Sequence, residues 1–212
     1  MLPSTCLHIM RELVAAKLVS YYEDTKLYKL GSGILFLARQ VTQQNPFVQV
    51  AQPHLNRLSH EFDIGATVQE RDGDRHLLVV AAASMLPGDM MAQGARIALF
   101  TGASGRIMAA FNAFTDGQLA QRFTSARWQV APGFDDWRKQ VRAARKLGYA
   151  IDEGQYRKGI TAIAAPISGD DGGAIVRAIS ITAISAQLDD TRRKVLIKAL
   201  LAAASEIAAR MR

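Results

Sequence analysis

The sequence predicts an α+β fold: an antiparallel sheet with helices on its faces, preceded by a short helix-and-hairpin module. Three observations carry this. From residue 64 onward, runs rich in strand formers alternate with polar turns. Two of those turns, Asp72-Gly73-Asp74-Arg75 and Gly169-Asp170-Asp171-Gly172-Gly173, send the chain back on itself. Long amphipathic stretches at about 46–62 and 189–211 bracket that region.

Taken in order, Pro3-Ser4-Thr5 reads as a helix start, with Ser4 or Thr5 available as the cap. Leu7, Met10, Leu13, Val14 and Leu18 follow at helical spacing. Val19 to Tyr22 and Leu27 to Leu30 form a hairpin around Glu23-Asp24-Thr25-Lys26, and Gly31 stops it. Residues 32–44 carry an apolar stripe of Ile34, Leu35, Leu37, Ala38 and Val41, and Asn45-Pro46 ends that helix. The helix from Pro46 to Phe62 presents Val50, Pro53, Leu55, Leu58 and Phe62 to a core, with Pro53 expected to kink it. Strands are expected at 64–71, 76–83, 148–153, 160–168 and 174–183, and Met85 to Gln93, with Pro87-Gly88, reads as a loop. Helices are expected at 104–114, 116–123 and 134–147, and a last one at 189–211, capped by Asp189 or Asp190, buries Val195, Leu196, Ala199, Leu200, Ala203 and Ile207.

The 212 residues, 49% of them apolar, suffice for one large domain plus a small module. A single cysteine, Cys6, excludes an intrachain disulfide and fits a reducing, cytoplasmic setting. No apolar run approaches the roughly 20 residues that cross a bilayer, and no signal peptide is read. The net charge of +7 favours polyanions, but it is spread: residues 1–50 carry five Lys/Arg against three Asp/Glu, and residues 51–212 carry 21 against 16. Basicity alone therefore leaves nucleic-acid binding open.

Catalysis finds no support. His8, His54, His60 and His76 stand apart beside one cysteine, so no metal site is expected. Gly102-Ala103-Ser104-Gly105 is not a nucleophile elbow, and there is no phosphate-binding loop or dinucleotide fingerprint, so no cofactor is expected. Asp152 and Glu153 are adjacent in a strand and point to opposite faces, which prevents them from acting as a pair. Neither an enzyme nor any catalytic residue is expected.

Four segments in order resemble the IclR family of bacterial transcription regulators. They are Leu2 to Leu13 with Lys17-Leu18-Val19 and Leu27-Tyr28-Lys29-Leu30-Gly31; Gly94 to Ala109; Leu147 to Gly154 with Gly159 to Ile167; and Ala178 to Thr182. The resemblance implies a partial winged helix-turn-helix at residues 1–31, a linker helix at 32–45 and a GAF-like effector-binding domain at 46–212. It also implies an operator of double-stranded DNA, a small organic acid as effector, and a homodimer or dimer of dimers. Against the family's pattern, the helices ahead of the recognition helix are missing, so a misassigned start or a truncation is expected, and Ala183-Ile184 stands where Gly-Pro is usual.

By that resemblance Ser4, Thr5, His8 and Arg11 face base edges, whereas Lys17, Lys26 and Lys29 touch phosphates. Spacing alone equally describes a solvated amphipathic helix. The effector positions implied are Ala103, Ser104, Asp152, Ala162, Ser180 and Thr182, with Ile97 and Ile160 as apolar wall. The turn at 102–105 serves either as an anion cradle at a helix N-terminus or as a plain Ser-capped start. Asp152 is odd beside an anion and suits a ligand hydroxyl or a loop cap. Met90, Met91, Ile97 and Phe100 suggest a partly apolar ligand, aromatic acids included. Arg138, Lys139, Arg142, Arg145 and Lys146 share one helix face, either solvated or available to phosphates. The rival to a regulator is a ligand sensor that does not bind DNA by itself.

Overall fold

A computed structural model describes residues 3–82, 94–168 and 174–211. The loop read at 85–93, with Met90 and Met91, and the turn at 169–173 lie outside the described residues, as does the side chain of Val41. The chain divides into two compact units, Met1–Gln49 and Val50–Arg212.

In the first unit, helix α1 (Pro3–Ala15) leads into a two-stranded antiparallel hairpin, β1 (Val19–Tyr22) and β2 (Leu27–Leu30), and then helix α2 (Gly33–Gln44). Pro3 is already helical, so Ser4 and Thr5 lie inside the first turn and neither caps it. The hairpin pairs Val19 with Leu30 and Tyr21 with Tyr28, whose rings lie 4.8 Å apart. Gly31 is required by close approach, because a Cβ there would sit 2.2 Å from the Lys17 carbonyl oxygen. α1 contains no buried residue, and Leu7 and Ile9 are 46% and 43% exposed.

Helix α3 (Pro46–Phe62) starts under an Asn45 cap, whose Oδ1 accepts from the Phe47 amide at 3.0 Å. It runs unbroken through Pro53. The second unit continues as β3 (Gly65–Asp72), β4 (Arg75–Ala82), β5 (Arg96–Ala98), α4 (Gly102–Phe111), α5 (Asp116–Ser125), α6 (Phe134–Leu147), β6 (Ala150–Glu153), β7 (Ile160–Ile167), β8 (Arg177–Ile184) and α7 (Asp190–Ala209). Six strands form one antiparallel sheet in the order β5-β4-β3-β8-β7-β6. β5 escaped the period-2 reading because it has only three residues, too few to show alternation.

Alternation gives the sheet two apolar faces. On one, Ala150, Ala164 and Ala178 join Ile107, Met108, Trp137 and Val141 of α4 and α6 in a single buried cluster. Phe100 belongs to it, its ring 5.4 Å from Trp137 and 5.1 Å from Phe114. Small alanines on the strands let α4 lie close, and the aromatic side chains fill the space beyond. Ile163, Ile179 and Ile181 point the other way, where α7 packs on β7 and β8 with Leu196, Leu200, Ala203 and Ile207 buried. The Asp189 carboxylate caps α7 by accepting from the Arg192 amide, as the sequence led us to expect; Val195 stays 49% exposed, outside the buried stripe.

His76 on β4 is fully buried, and neither ring nitrogen has a side-chain partner. Burial pushes its pKa down from 6.5 to about 4, only weakly opposed by the Leu99 backbone. The neutral ring is thus favoured in the fold. Its contribution is present above pH 6.5 and is lost as the pH falls toward 4, because the unfolded chain then takes up a proton that the folded chain refuses. The pKa difference corresponds to a loss on the order of 3 kcal/mol. Denaturant unfolding at pH 7 and pH 4.5 should show a smaller acid-induced loss in His76→Leu than in the unaltered chain.

Candidate functional site

The strand face under α4 is not filled everywhere. Cross-strand register lines up Asp152 (β6), Ala162 (β7) and Thr182 (β8) as direct neighbours, with Ser180 (β8) opposite Thr67 (β3). All five have the parity of the α4 face. Short side chains there leave a hollow of about 80 Å³ between the sheet and the first turn of α4. Ile97, Ala103, Ser104, Asp152, Ile160, Ala162, Ser180 and Thr182, all singled out from the sequence, line it together. So do Gly102, which belongs to the turn read as a possible anion cradle, and Thr67, Gln69, Leu78, Thr101, Tyr156 and Arg157, which were not singled out. Phe100 does not; it is spent on the aromatic core. The parity of Thr67 and Gln69 along β3 could have flagged them. Tyr156 and Arg157 sit in an irregular loop where no periodicity helps.

α4 begins earlier than its apolar stripe suggests. Gly102, Ala103, Ser104 and Gly105 are its first turn, after Thr101, whose side chain forms no cap. The reading of Ser104 as a helix cap is therefore corrected. The Ser104 hydroxyl instead donates to Gln69 Oε1 at 2.8 Å, and Gln69 Nε2 donates to Thr67 Oγ1 at 2.7 Å. The Gly105 amide donates to the Thr101 carbonyl at 3.0 Å; the amides ahead of it have no acceptor within the helix, and their residues, Gly102, Ala103 and Ser104, line the hollow. The turn fits only because residue 105 is glycine: a Cβ would lie 2.1 Å from the Phe100 carbonyl carbon. Gln69 is aimed by a register irregularity between Val68 and Gln69, where β4 carries one extra residue.

Asp152 is not an acid poised against an anion. Its Oδ1 accepts from the amides of Gln155 at 3.1 Å and Tyr156 at 3.0 Å, so it caps the loop after β6. Its Oδ2 accepts from Arg106 Nη1 at 2.8 Å, with both side chains buried. Arg106 also donates to the Gly102 carbonyl at 2.7 Å, to Gln140 at 2.7 Å and to Gln155, and it lies 5.6 Å from the Trp128 ring centroid. Burial pulls the Arg106 pKa downward, and the Asp152 carboxylate opposes that pull. Arg106 escaped notice because a lone arginine in a helix usually reads as solvent-facing.

Thr182 Oγ1 is buried and has no hydrogen-bond partner. A hydroxyl left this way costs roughly 1–3 kcal/mol. Thr182 is one of the residues that line the hollow.

The other positions behave differently. Ser4, Thr5, His8, Arg11, Lys17, Lys26 and Lys29 are all exposed on the first unit. Lys17 and Lys26 hold left-handed backbone at φ 59° and 56°, and Lys29 Nζ stands 4.8 Å over the Tyr22 ring. On α6, Arg138 and Lys139 are tied to Asp135 and Asp136, and Arg145 donates to the Ala110 carbonyl, which favours a solvated, internally paired face. No cluster able to hold a metal ion exists among the described residues, and no helix among them is long and apolar enough to cross a membrane.

Comparison with known proteins gives a consistent picture. The family model described as bacterial transcriptional regulator IclR C-terminal matches residues 39–209. The HTH-type transcriptional repressor AllR of Escherichia coli is 27% identical over 200 residues, covering 89% of this chain and 71% of that protein. An IclR-type regulator from Alicyclobacillus acidocaldarius superposes with a TM-score of 0.81 at 20% identity, over 97% of this chain and 84% of its own. The IclR of Thermotoga maritima gives 0.77 at 20% identity, over 99% and 86%. An IclR homologue from Microbacterium hydrocarbonoxydans, solved with 4-hydroxybenzoate, gives 0.74 at 17% identity, over 97% and 86%.

Removing the cation from the buried pair strands the Asp152 charge. Arg106→Leu should lower unfolding free energy by about 3–5 kcal/mol, and adding Asp152→Asn should restore part of it. Equilibrium denaturation of the unaltered chain and the two variants checks this.

Proposed function

Because the chain belongs to the IclR family of bacterial transcriptional regulators, we propose that a small organic acid bound in the hollow under α4 controls its attachment to an operator. The observation that carries this is the unpartnered Thr182 hydroxyl on the sheet side of a hollow whose other side is the α4 N-terminus, Gly102 to Ser104. Backbone amides at a helix N-terminus favour a carboxylate. Asp152 does not oppose the anion, because Arg106 already balances its charge. The hollow is far below the roughly 300–1,000 Å³ of drug-sized sites, so a compact acid of a few carbons suits it best. A ring the size of the 4-hydroxybenzoate held by the Microbacterium homologue needs the walls to part.

Operator contact falls to the exposed polar side of α1, with Ser4, Thr5, His8 and Arg11 facing bases and Lys17, Lys26 and Lys29 facing phosphates. The Lys29 ammonium, exposed and held over the Tyr22 ring, keeps its charge available. The chain works as a homodimer or a dimer of dimers. Leu35, Phe36 and Leu37 of α2, 74%, 62% and 49% exposed, supply an apolar surface for self-association. A second reading, a sensor that does not bind DNA by itself, is favoured by the absence of any buried residue in α1, since so short a helix needs packing to persist.

Thr182→Val keeps the shape and removes the unpaired hydroxyl. Without ligand it should be neutral or about 1 kcal/mol more stable, yet in a thermal-shift screen of short keto acids and 4-hydroxybenzoate it should lose most of the ligand-induced rise in Tm. A folded, unaltered chain whose Tm responds to none of these acids would defeat the effector reading.

Mobility-shift titrations across a salt series separate the two readings. Operator affinity that falls steeply with salt and drops on Arg11→Ala supports the regulator; acid-induced melting shifts with no retardation at any salt support the sensor.

A further inference from the structure

A second and larger concavity, of about 670 Å³, adjoins the hollow under α4 and shares Ile97, Thr101 and Tyr156 with it. Its chemistry is different. Arg75, Arg96, Arg122 and Arg127 line it, against the single carboxylate of Asp74. Arg122 is fixed in place: its Nε donates to Asp74 Oδ1 at 2.8 Å, and its guanidinium stands 5.5 Å from the Phe114 ring centroid. Arg96 pairs with Asp72 at 2.6 Å. Arg75 and Arg127 are exposed and have no ion-pair partner among the described residues. Even with Asp72 and Asp74 both counted, two positive charges on this one concave surface are unbalanced. A cleft of one sign concentrates anions, and guanidinium forks match the paired oxygens of carboxylate and phosphate.

We infer that this chamber is an oxyanion subsite, which takes a second, terminal anionic group of an effector whose first carboxylate occupies the inner hollow. The inference rests on the reading of that hollow as the effector site. It narrows the ligand class from small acids in general to small dianions, ending in a carboxylate or a phosphate. Division of labour supports it. The inner hollow, mostly apolar and about 80 Å³, accommodates one short end of a molecule, and the two spaces adjoin at Ile97, Thr101 and Tyr156. Arg75 stands on β4 opposite Ala98 of β5, one residue from Ile97, so its charge lies beside the boundary the two spaces share.

The test is calorimetric titration of the full chain at low ionic strength with matched pairs: 2-oxopentanoate against 2-oxoglutarate, and 2-oxohexanoate against 2-oxoadipate. Within a pair only the terminal methyl changes to a carboxylate. The diacid should bind about tenfold more tightly than its partner. The double variant Arg75→Gln/Arg127→Gln should erase that preference and leave monoacid affinity and Tm unchanged; Arg127→Gln alone should erase part of it. A phosphonate analogue, 2-oxo-4-phosphonobutanoate, identifies the terminal group, since tighter binding than 2-oxoglutarate assigns a phosphate and weaker binding a carboxylate. Equal affinities within both pairs, or a diacid preference that survives in the double variant, would overturn the subsite while leaving the inner hollow intact. Failure of every monoacid and diacid to bind the folded chain would remove the hollow's role, and the subsite with it.

Discussion

The arrangement of the second unit depends on the buried pair between Arg106 and Asp152. One guanidinium ties together the first turn of α4 through Gly102, the end of β6 through Asp152, the loop after it through Gln155, and α6 through Gln140. Burying a full charge is tolerated only when its hydrogen-bonding capacity is met, and here all three guanidinium nitrogens donate. The consequence is geometric. The α4 N-terminus is held at a fixed height over the strands, with Gly105 allowing the backbone at Phe100 to come close. The hollow is the gap left by that placement.

Electrostatics follows from the same pair. A carboxylate on the wall of an acid-binding pocket would repel its ligand at a distance where screening is weak. Arg106 supplies the opposite charge from behind the wall, and two loop amides take the second carboxylate oxygen, so Asp152 serves as scaffold. Arg157 apart, the polar groups along the space are neutral: the hydroxyls of Thr67, Ser104, Ser180 and Thr182 and the Gln69 amide. The chain of hydrogen bonds Thr67–Gln69–Ser104 satisfies three of these groups without a ligand. The Thr182 hydroxyl is buried without a partner, which is why it weighs more than its neighbours in any account of binding.

Much of this was legible in the sequence, for reasons that can be named. Periodicity found the bounds of α3 and α6 to the residue, because each has a strong apolar face and a sharp end at Pro46, Gly133 or Gly148. The family resemblance marked Asp152, Ala162, Ser180 and Thr182 as a group, and the strand register is what brings them to one face. What stayed hidden depends on contacts between distant segments. β5 is too short to alternate. Arg106 is buried only because Asp152, 46 positions away, meets it. A Ser104 cap was one of two readings of its turn, because the local sequence allows one; tertiary packing starts the helix two residues earlier and turns the hydroxyl to Gln69. Phe100 was assigned to a pocket on hydrophobicity, a property that does not distinguish a ligand wall from an aromatic core.

The same limit explains why four arginines escaped notice as a set. Arg75 and Arg96 belong to neighbouring strands, Arg122 to α5 and Arg127 to the segment after it, so no window of sequence contains them all. Overall charge gave no hint, since the positive excess is spread along the chain. Folding gathers them at one edge of the sheet, beyond β4 and β5, while the neutral donors collect near its centre on β3, β7 and β8. Charge at the rim and neutral dipoles within is the order that desolvation dictates. A cation at the rim keeps its water and still attracts an anion, whereas one on the inner wall would pay for burial whenever the site stood empty. Arg106 meets that cost only through Asp152, which leaves it with no charge to spare for a ligand.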